Sequence, residues 1–338
     1  MRNMKKPQMM TSQADYDHTK TDQHIEKLYL NYMNQTNKPY LNVVVTGGSG
    51  FLGRRLKESQ PGWAYLSSAD CDLAVSGEFT NVLQKYKPDA IVHLAAKVGG
   101  IKDNVEKQAE YYNLNTRINL NVLHESYVFG ISRLLAALST CAFPNEIDNF
   151  PYNEEDFFNG PPTVTNFSYG MSKRHLHTGC IAYRKQYGVN YSTFCPSNLY
   201  GPGDHFGEEN SHFVASLVHK YTNACDNEVI ELWGTGTPLR QQLYVDDMCE
   251  IIPILLEKHN TDVPLIVAPD ENLSINEMAN ILIKQLDKNI KIVYNNQLDG
   301  QFRKDGSNLM LKKMINNLKF TKFKKGIMET YNWYERTL

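Results

Sequence analysis

The sequence predicts an α/β protein, a doubly wound parallel sheet followed by a smaller C-terminal α/β lobe. Three observations lead there. Short apolar runs alternate with longer helical segments from Leu41 onward, a glycine-rich turn follows directly on the first run, and the alternation weakens after Tyr200, where Gly and Pro mark the loops. Strands separated by helices cannot pair as hairpins, so they pair in parallel through right-handed crossovers.

The runs Leu41–Thr46, Trp63–Ser67, Ala90–Ala95 and Leu134–Ser139 read as strands. Asn104–Phe129 carries Tyr111, Leu114, Ile118 and Val122 at helical spacing and is expected to form one long helix, and Ser168–Tyr187 is expected to form another. Beyond Tyr200, Gly201-Pro-Gly203, Gly234-Thr-Gly236-Thr-Pro238 and Gly300 mark the loops of the smaller lobe. The expected division is a polar N-terminal extension over 1-40, a nucleotide-binding domain over 41-200 plus about 232-262, and a substrate lobe over about 201-231 and 263-338. Within the extension, Ile25, Leu28, Tyr29 and Tyr32 would give a short amphipathic helix able to dock, set against the plainer reading of a flexible tail. Its Asp15, Asp17, Asp22 and Glu26 argue against an acid-poor transit peptide.

With 338 residues, 41% hydrophobic and 21% charged, the chain has room for one large core or two moderate ones, and disorder of the whole is excluded. A net charge of -2 leaves no electrostatic footprint for a nucleic acid or an anionic membrane. No run of about 18 apolar residues is present, so no membrane span is expected. Cys71, Cys141, Cys180, Cys195, Cys225 and Cys249 are scattered and form no C-x-x-C pair, which favours reduced thiols and a cytoplasmic location over a disulfide framework. His175 and His177 point to different faces of their helix, so no metal site is expected.

The first strand runs straight into Gly47, Gly48, Ser49, Gly50, Phe51, Leu52 and Gly53. Glycines at intervals of three let the backbone turn sharply and approach a pyrophosphate, whose charge then sits on the free amides of the following helix. A tight structural turn alone would explain an isolated triplet, but its place after the first strand of an alternating array points to a Rossmann-type dinucleotide site. The second strand ends in Ser67-Ser68-Ala69 rather than in an acid that would bind ribose hydroxyls, which leans toward NADP over NAD. Arg54 or Arg55 would supply a cation for the 2′-phosphate, unless each is a solvated helix residue, and Asp72 and Leu73 would border the adenine.

Tyr169 and Lys173 lie four apart and share a helix face. A phenol titrating near ~10 is a poor proton shuttle at neutral pH, and a nearby ammonium is expected to lower that value. Ser139, at the carboxyl end of its strand, is placed to hydrogen-bond a carbonyl oxygen receiving that proton. Cys141 follows two residues later and, on an extended backbone, would face the same side. Its thiol can exchange a proton with a carbon beside a ketone, although a cysteine met in isolation reads first as inert core.

The runs Thr46-Gly-Gly-Ser-Gly-Phe-Leu-Gly53, His93-Leu-Ala-Ala-Lys-Val-Gly-Gly100, Ser139-Thr-Cys141, Tyr169–Lys173, Cys195-Pro-Ser-Asn-Leu-Tyr-Gly-Pro202, Asn210-Ser-His212, Trp233-Gly-Thr-Gly-Thr-Pro-Leu-Arg240 and Asp299-Gly-Gln-Phe-Arg-Lys304 occur in this order. As a collinear set, from about Leu41 to the C-terminus, they resemble the GDP-L-fucose synthases of the extended short-chain dehydrogenase/reductases. These are epimerase-reductases acting at C3, C5 and C4 of GDP-4-dehydro-6-deoxy-D-mannose. The resemblance implies Tyr169 as the acid of the reduction, supported by Lys173 and Ser139, with Cys141 as base and His212 as acid of the epimerisations. It also implies that Ala137, Leu138, Ser139 and Thr140, then Pro196, Ser197, Asn198 and Leu199, line the NADPH site with the glycine loop, Lys173 and His212. Lys220, Trp233, Arg240, Asp299 and Lys304 would contact the GDP-sugar, where cations suit a diphosphate and an indole offers an apolar face.

The resemblance further implies a homodimer packed through two helices of each subunit, here Asn104–Phe129 and Ser168–Tyr187, whose apolar stripes would equally suit internal packing. Three positions depart from the pattern. His205 stands where Asn is usual, Lys220 where some members carry Arg, and Ala69 where a relative would carry Lys. A nucleotide-sugar 4,6-dehydratase is the related alternative, but Cys141-Ala142 replace the Asp-Glu that follows Ser-Thr there. A non-catalytic NADP-binding sensor on the same fold is the other, and such proteins often lose the Tyr or Lys that this chain keeps.

Overall fold

The computed structural model describes residues 42–338, apart from 208–210, 287, 296, 298 and 300. The extension 1-40 with its apolar stripe, and positions 210 and 300 of the motifs, lie outside the described residues.

The sheet-forming part runs β1 (Val43–Thr46), α1 (Phe51–Ser59), β2 (Ala64–Leu66), α2 (Glu78–Tyr86), β3 (Ala90–His93), α3 (Ile101–Glu106), α4 (Gln108–Phe129), β4 (Arg133–Ala137), α5 (Phe167–Tyr187) and β5 (Asn190–Pro196). There follow β6 (Asn198–Tyr200), α6 (Phe213–Asn223), β7 (Val229–Leu232), β8 (Leu239–Arg240), β9 (Gln242–Tyr244), α7 (Val245–Lys258) and β10 (Pro264–Val267). The chain closes with β11 (Leu273–Ser274), α8 (Ile275–Ile283), β12 (Lys291–Tyr294), β13 (Arg303–Lys304), α9 (Leu309–Met314) and α10 (Phe323–Glu335).

Six strands form one parallel sheet in the order β10-β5-β4-β3-β1-β2. The chain steps from β1 outward to β2, then crosses back to β3 and proceeds the other way. That reversal between β1 and β3 is a topological switch point, where a doubly wound sheet opens a crevice beyond its carboxyl ends.

Alternate strand residues face opposite sides, and both sides are buried, as a parallel sheet covered by helices requires. Val44, Ile91, Leu134 and Ala136 pack with Val122 and Leu123 of α4 and Leu176 of α5. Val43, Val45, Val92 and Leu135 pack with Leu56 of α1 and Met248, Ile252 and Leu255 of α7. Buried Arg133 on β4 fixes the end of α7 by donating to the carbonyls of Leu256, Leu255 and His259 at 2.7, 2.7 and 3.0 Å, at the terminus where helix carbonyls run short of intrahelical donors. A third core joins Leu217 and Val218 of α6, Ile230 of β7, Met278 and Leu282 of α8, and Ile327 of α10.

Three local expectations differ from the structure. The helix expected over Asn104–Phe129 is interrupted at Lys107, and Asn104 folds α3 back by donating to the carbonyls of Gly99 and Gly100 at 2.9 and 3.0 Å. The fourth strand stops at Ala137, because Thr140–Ala142 coils into a single 3₁₀ turn capped by Ser139. The boundary expected near 262 precedes a strand of the main sheet, since the apolar run Pro264–Val267 pairs with β5, and Leu311 of α9 joins the same core.

Candidate active site

A cleft of about 570 Å³ opens at the switch point. The loops after β1, β2, β3 and β4 wall it together with Tyr169 and Lys173 of α5, the Pro196–Leu199 segment and His212. Among the loop residues expected at a cofactor, Gly47, Ser49, Gly50, Phe51, Leu52 and Gly53 line it. Gly48 does not: its amide donates to the Leu66 carbonyl at 2.7 Å, fastening the loop to β2 from behind. Gly47 has a φ of +75°, and a Cβ there would stand 2.8 Å from the Ala95 nitrogen. A Cβ on Gly53 would come within 2.7 Å of the Gly48 Cα, so only glycine lets α1 start this close to β1. Gly50 caps α1 without a side chain, and the first turn of α1 carries no acid. Such a helix N-terminus suits a phosphate, and the cradle fits a dinucleotide.

Ser67, Ser68, Asp72 and Leu73 line the cleft beyond β2. Asp70 is turned back on its own loop, accepting from the Ser67 amide and hydroxyl at 2.8 and 2.7 Å. Arg55 is paired with Asp246 at the start of α7 and with Glu58, and Arg54 donates to the carbonyls of Ser49 and Gly203 at 2.5 and 2.7 Å. Each candidate for the 2′-phosphate cation is thus engaged elsewhere, and Arg55 is tied by an ion pair.

Ala137, Leu138, Ser139 and Thr140 form the wall after β4. Lys173 is buried beneath them and donates to the Ala137 carbonyl at 2.8 Å, and burial lowers its ammonium to about 8. The expected lowering of the Tyr169 phenol is reversed. Burial pushes it up, the neighbouring Cys141 charge adds to that, and a hydrogen bond with Ser139 opposes both. The Lys173 nitrogen lies 5.8 Å from the ring centre and is held by a carbonyl. Tyr169 therefore keeps its proton at neutral pH, the state an acid needs.

The wall after β3, Leu94 to Val98, was not among the candidate residues, nor were Leu114 and Ile118 of α4, which also line the cleft. The run His93–Gly100 was its only signal in the sequence. Asn115 of α4 grips both sides of Lys97, accepting from its amide at 2.8 Å and donating to its carbonyl at 3.0 Å.

Cys141 does not sit on extended backbone; it reaches its place through the 3₁₀ turn, where its amide donates to Ser139 Oγ at 3.2 Å. Two contacts press that turn against α5. Arg174 donates to the Ala142 carbonyl at 2.7 Å, and Gly170 permits an approach in which a Cβ would stand 2.5 Å from the Cys141 carbonyl oxygen. The half-buried thiol sulfur lies 3.4 Å from Lys304 Nζ and 3.4 Å from Asn166 Nδ2. Burial pushes the thiol up, but the Lys304 charge and hydrogen bonds from Ser139, Lys304 and Asn166 outweigh it, so Cys141 is held below the ordinary thiol value. His212, at the N-cap of α6, has Nδ1 3.2 Å from Oδ1 of buried Asp204. The hydrogen bond to Asp204 raises its proton affinity, burial opposes, and the charges of Asp204 and Cys141 raise it further, for a net increase.

The residues expected at the GDP-sugar lie outside the walls of this cleft. Lys220 donates to the Glu231 carbonyl at 2.8 Å, and Trp233 is exposed. Arg240 donates to the Leu239 carbonyl at 2.7 Å. Asp299 accepts from the amide and hydroxyl of Thr235 at 3.0 and 2.6 Å, fixing the loop that follows Trp233. Lys304 stands beside Arg240 across the β8–β13 pair, with its ammonium turned to Cys141. Asn166 and Asp204 were missed, since neither belongs to a spacing that marks chemistry.

A parallel sheet with a glycine turn at its switch point, and Ser, Tyr and Lys converging there, defines the dinucleotide-dependent oxidoreductase and epimerase class. Residues 43–268 match the NAD dependent epimerase/dehydratase family. The GDP-L-fucose synthase of Dictyostelium discoideum is 33% identical over 303 residues, which are 86% of this chain and 94% of that protein. The probable GDP-L-fucose synthase of Drosophila melanogaster is 31% identical over 310 residues, 86% of this chain and 96% of its own. The NADP-bound crystal structure of a GDP-L-fucose synthetase from Naegleria fowleri matches with a TM-score of 0.79 at 27% identity, covering 88% of this chain and 94% of that one. The chain belongs to the NAD dependent epimerase/dehydratase family and, within it, to the GDP-L-fucose synthases.

Proposed function

We propose that this protein converts GDP-4-dehydro-6-deoxy-D-mannose to GDP-L-fucose, inverting C3 and C5 and then reducing C4 with NADPH. The observation that carries the reading is a thiol held by Lys304 and Asn166 at 3.4 Å each, one residue past the cleft wall at Thr140, in a protein whose cleft also carries a phenol that keeps its proton. A reductase alone has no use for the thiol.

The 4-keto group acidifies the hydrogens on C3 and C5. The Cys141 sulfur takes one, its S–H bond forming as the C–H bond breaks and the electron pair passes to the keto oxygen as an enolate. His212 returns a proton to the same carbon from the opposite face, and Asp204 keeps its imidazole charged for that step. The thiol and the neutral imidazole then exchange protons with solvent, and the cycle repeats at the other carbon. NADPH, when bound, supplies the hydride for C4. Tyr169 gives its phenolic proton to the C4 oxygen, with Ser139 aligning that oxygen and the Lys173 ammonium stabilising the phenolate until solvent returns its proton. The glycine loop and α1 would hold the pyrophosphate, and Ser67, Ser68, Pro196, Ser197, Asn198 and Leu199, which line the same cleft, would hold the rest of the dinucleotide. Lys220, Trp233, Arg240 and Asp299 would meet the GDP moiety.

We read the protein as a homodimer through α4 and α5, the two helices the resemblance implies. All six cysteines are free, which suits a reducing, cytoplasmic compartment. Among the described residues no helix is long and apolar enough to cross a membrane.

The test is turnover of the keto-sugar nucleotide with NADPH in deuterated water, the product read by NMR. Cys141→Ser is expected to bind NADPH yet lose deuterium incorporation at C3 and C5, and Tyr169→Phe to incorporate deuterium without consuming NADPH. A reduced product with C3 and C5 unaltered would remove the epimerising half of the assignment.

A further inference from the structure

Beside the local Ser139, two partners of the Cys141 sulfur come from distant parts of the chain. Asn166 precedes α5, 25 residues on, and Lys304 lies on β13, 163 residues on. We infer that Lys304 and Asn166 are positioning residues of the epimerising base, fixing the Cys141 sulfur between two donors and favouring its thiolate form before any substrate binds. The inference rests on the reading of Cys141 as the base, and it gives Lys304 a task other than contact with the GDP-sugar.

A thiolate in a half-buried turn needs a compensating charge and donors, because desolvated anions without partners are costly. The Lys304 ammonium supplies the charge at 3.4 Å, and the Asn166 amide supplies a second, neutral donor at the same distance. Two donors from separate elements define a direction for the sulfur, which a single flexible lysine would not. The other titratable groups that face it are Tyr152, Tyr169 and Cys195, raised first by burial, and His212, raised first by Asp204, with the Cys141 charge adding to each. Lys173 acts on Cys195 beneath them. Burial holds the phenol protonated and Asp204 the imidazole, and a negative sulfur adds to both. Such a thiolate is ready to accept a proton near neutral pH, where a free thiol is mostly protonated.

The experiment is alkylation of the full-length protein by iodoacetamide across a pH series, without substrate, with modification at each cysteine followed by peptide mass spectrometry. Cys225 is exposed and serves as the reference thiol in the same tube. Cys141 is expected to reach half-maximal reactivity below the free-thiol range. Lys304→Met should move that midpoint upward by about one pH unit or more, roughly a tenfold loss of thiolate at pH 7. Asn166→Ala should give a smaller upward move, and Lys304→Arg should restore most of the wild-type profile. With substrate, Lys304→Met should lower kcat for deuterium exchange about tenfold with KM little changed. An unaltered Cys141 profile in Lys304→Met, accompanied by a raised KM, would make Lys304 a substrate ligand and overturn the inference. Alkylation needs no turnover, so an enzyme that fails to epimerise would refute the base reading while the thiol profiles still judged Lys304 and Asn166.

Discussion

Gly170→Ala is the substitution through which the coupling between α5 and the Cys141 turn is most directly read. The added methyl would stand 2.5 Å from the Cys141 carbonyl oxygen and 2.9 Å from the Pro162 Cβ. Ordinary contact begins near 3.4 Å, so about 0.9 Å must be found between two rigid neighbours, a backbone carbonyl and a proline ring. Overpacking of this kind costs ~1–3 kcal/mol, and alanine returns ~1 kcal/mol of helix propensity, leaving a net destabilisation of roughly 0–2 kcal/mol. The protein is expected to fold. The larger effect falls on chemistry, because displacing a reacting group by about 1 Å costs on the order of 100-fold in rate. Deuterium incorporation at C3 and C5 should therefore fall by about that factor, while NADPH affinity, followed by fluorescence titration, holds. Gly179→Ala on the same helix is the control, since its methyl meets only the flexible tip of Leu123 at 2.6 Å. An exchange rate for Gly170→Ala within about twofold of wild type would refute the claim that this approach places the thiol, and an equal loss in Gly179→Ala would assign the effect to the helix at large.

Two further outcomes are expected. In Asp204→Asn the carboxylate that raises His212 is gone, so the imidazole loses its proton at lower pH and the alkaline limb of the epimerisation shifts to lower pH. An alkaline limb that stays in place would remove Asp204 from that role. Arg55→Met breaks the ion pair with Asp246 and should cost about 1 kcal/mol or less in denaturant unfolding, with no change in NADPH affinity. A tenfold loss of affinity for NADPH but not NADH would return Arg55 to the 2′-phosphate.

What was legible in the sequence was local. Glycines three apart after an apolar run, and Tyr169 four residues before Lys173, carry their geometry in their spacing, so the cradle and the phenol–ammonium face were foreseeable. The sign of the Tyr169 shift was not, because burial, which dominates it, leaves no mark on the spacing. The interruption at Lys107 was hidden because the apolar spacing that marks the helix, Tyr111 to Val122, lies wholly after it and no Gly or Pro marks the break. Lys304 read as a surface or phosphate-binding cation, since nothing near it in the chain announces a thiol. Asp204 lies eight residues before His212 in a loop with no periodicity to fix their relation.

The path of the chain through α7 also bears on how the protein is made. When synthesis has passed Tyr200, five strands of the main sheet exist, but Val43, Val45, Val92 and Leu135 still lack Met248, Ile252 and Leu255, and Arg133 lacks carbonyls that lie over 120 residues after it. At ~5–20 residues per second the ribosome takes roughly 3–13 s more to deliver β10. For that interval the nascent chain carries an uncovered apolar sheet face and an open edge, the kind of surface that aggregates or recruits chaperones. A nucleotide-binding fragment cut at Tyr200 would hold that state permanently, so soluble truncations must run past Val267.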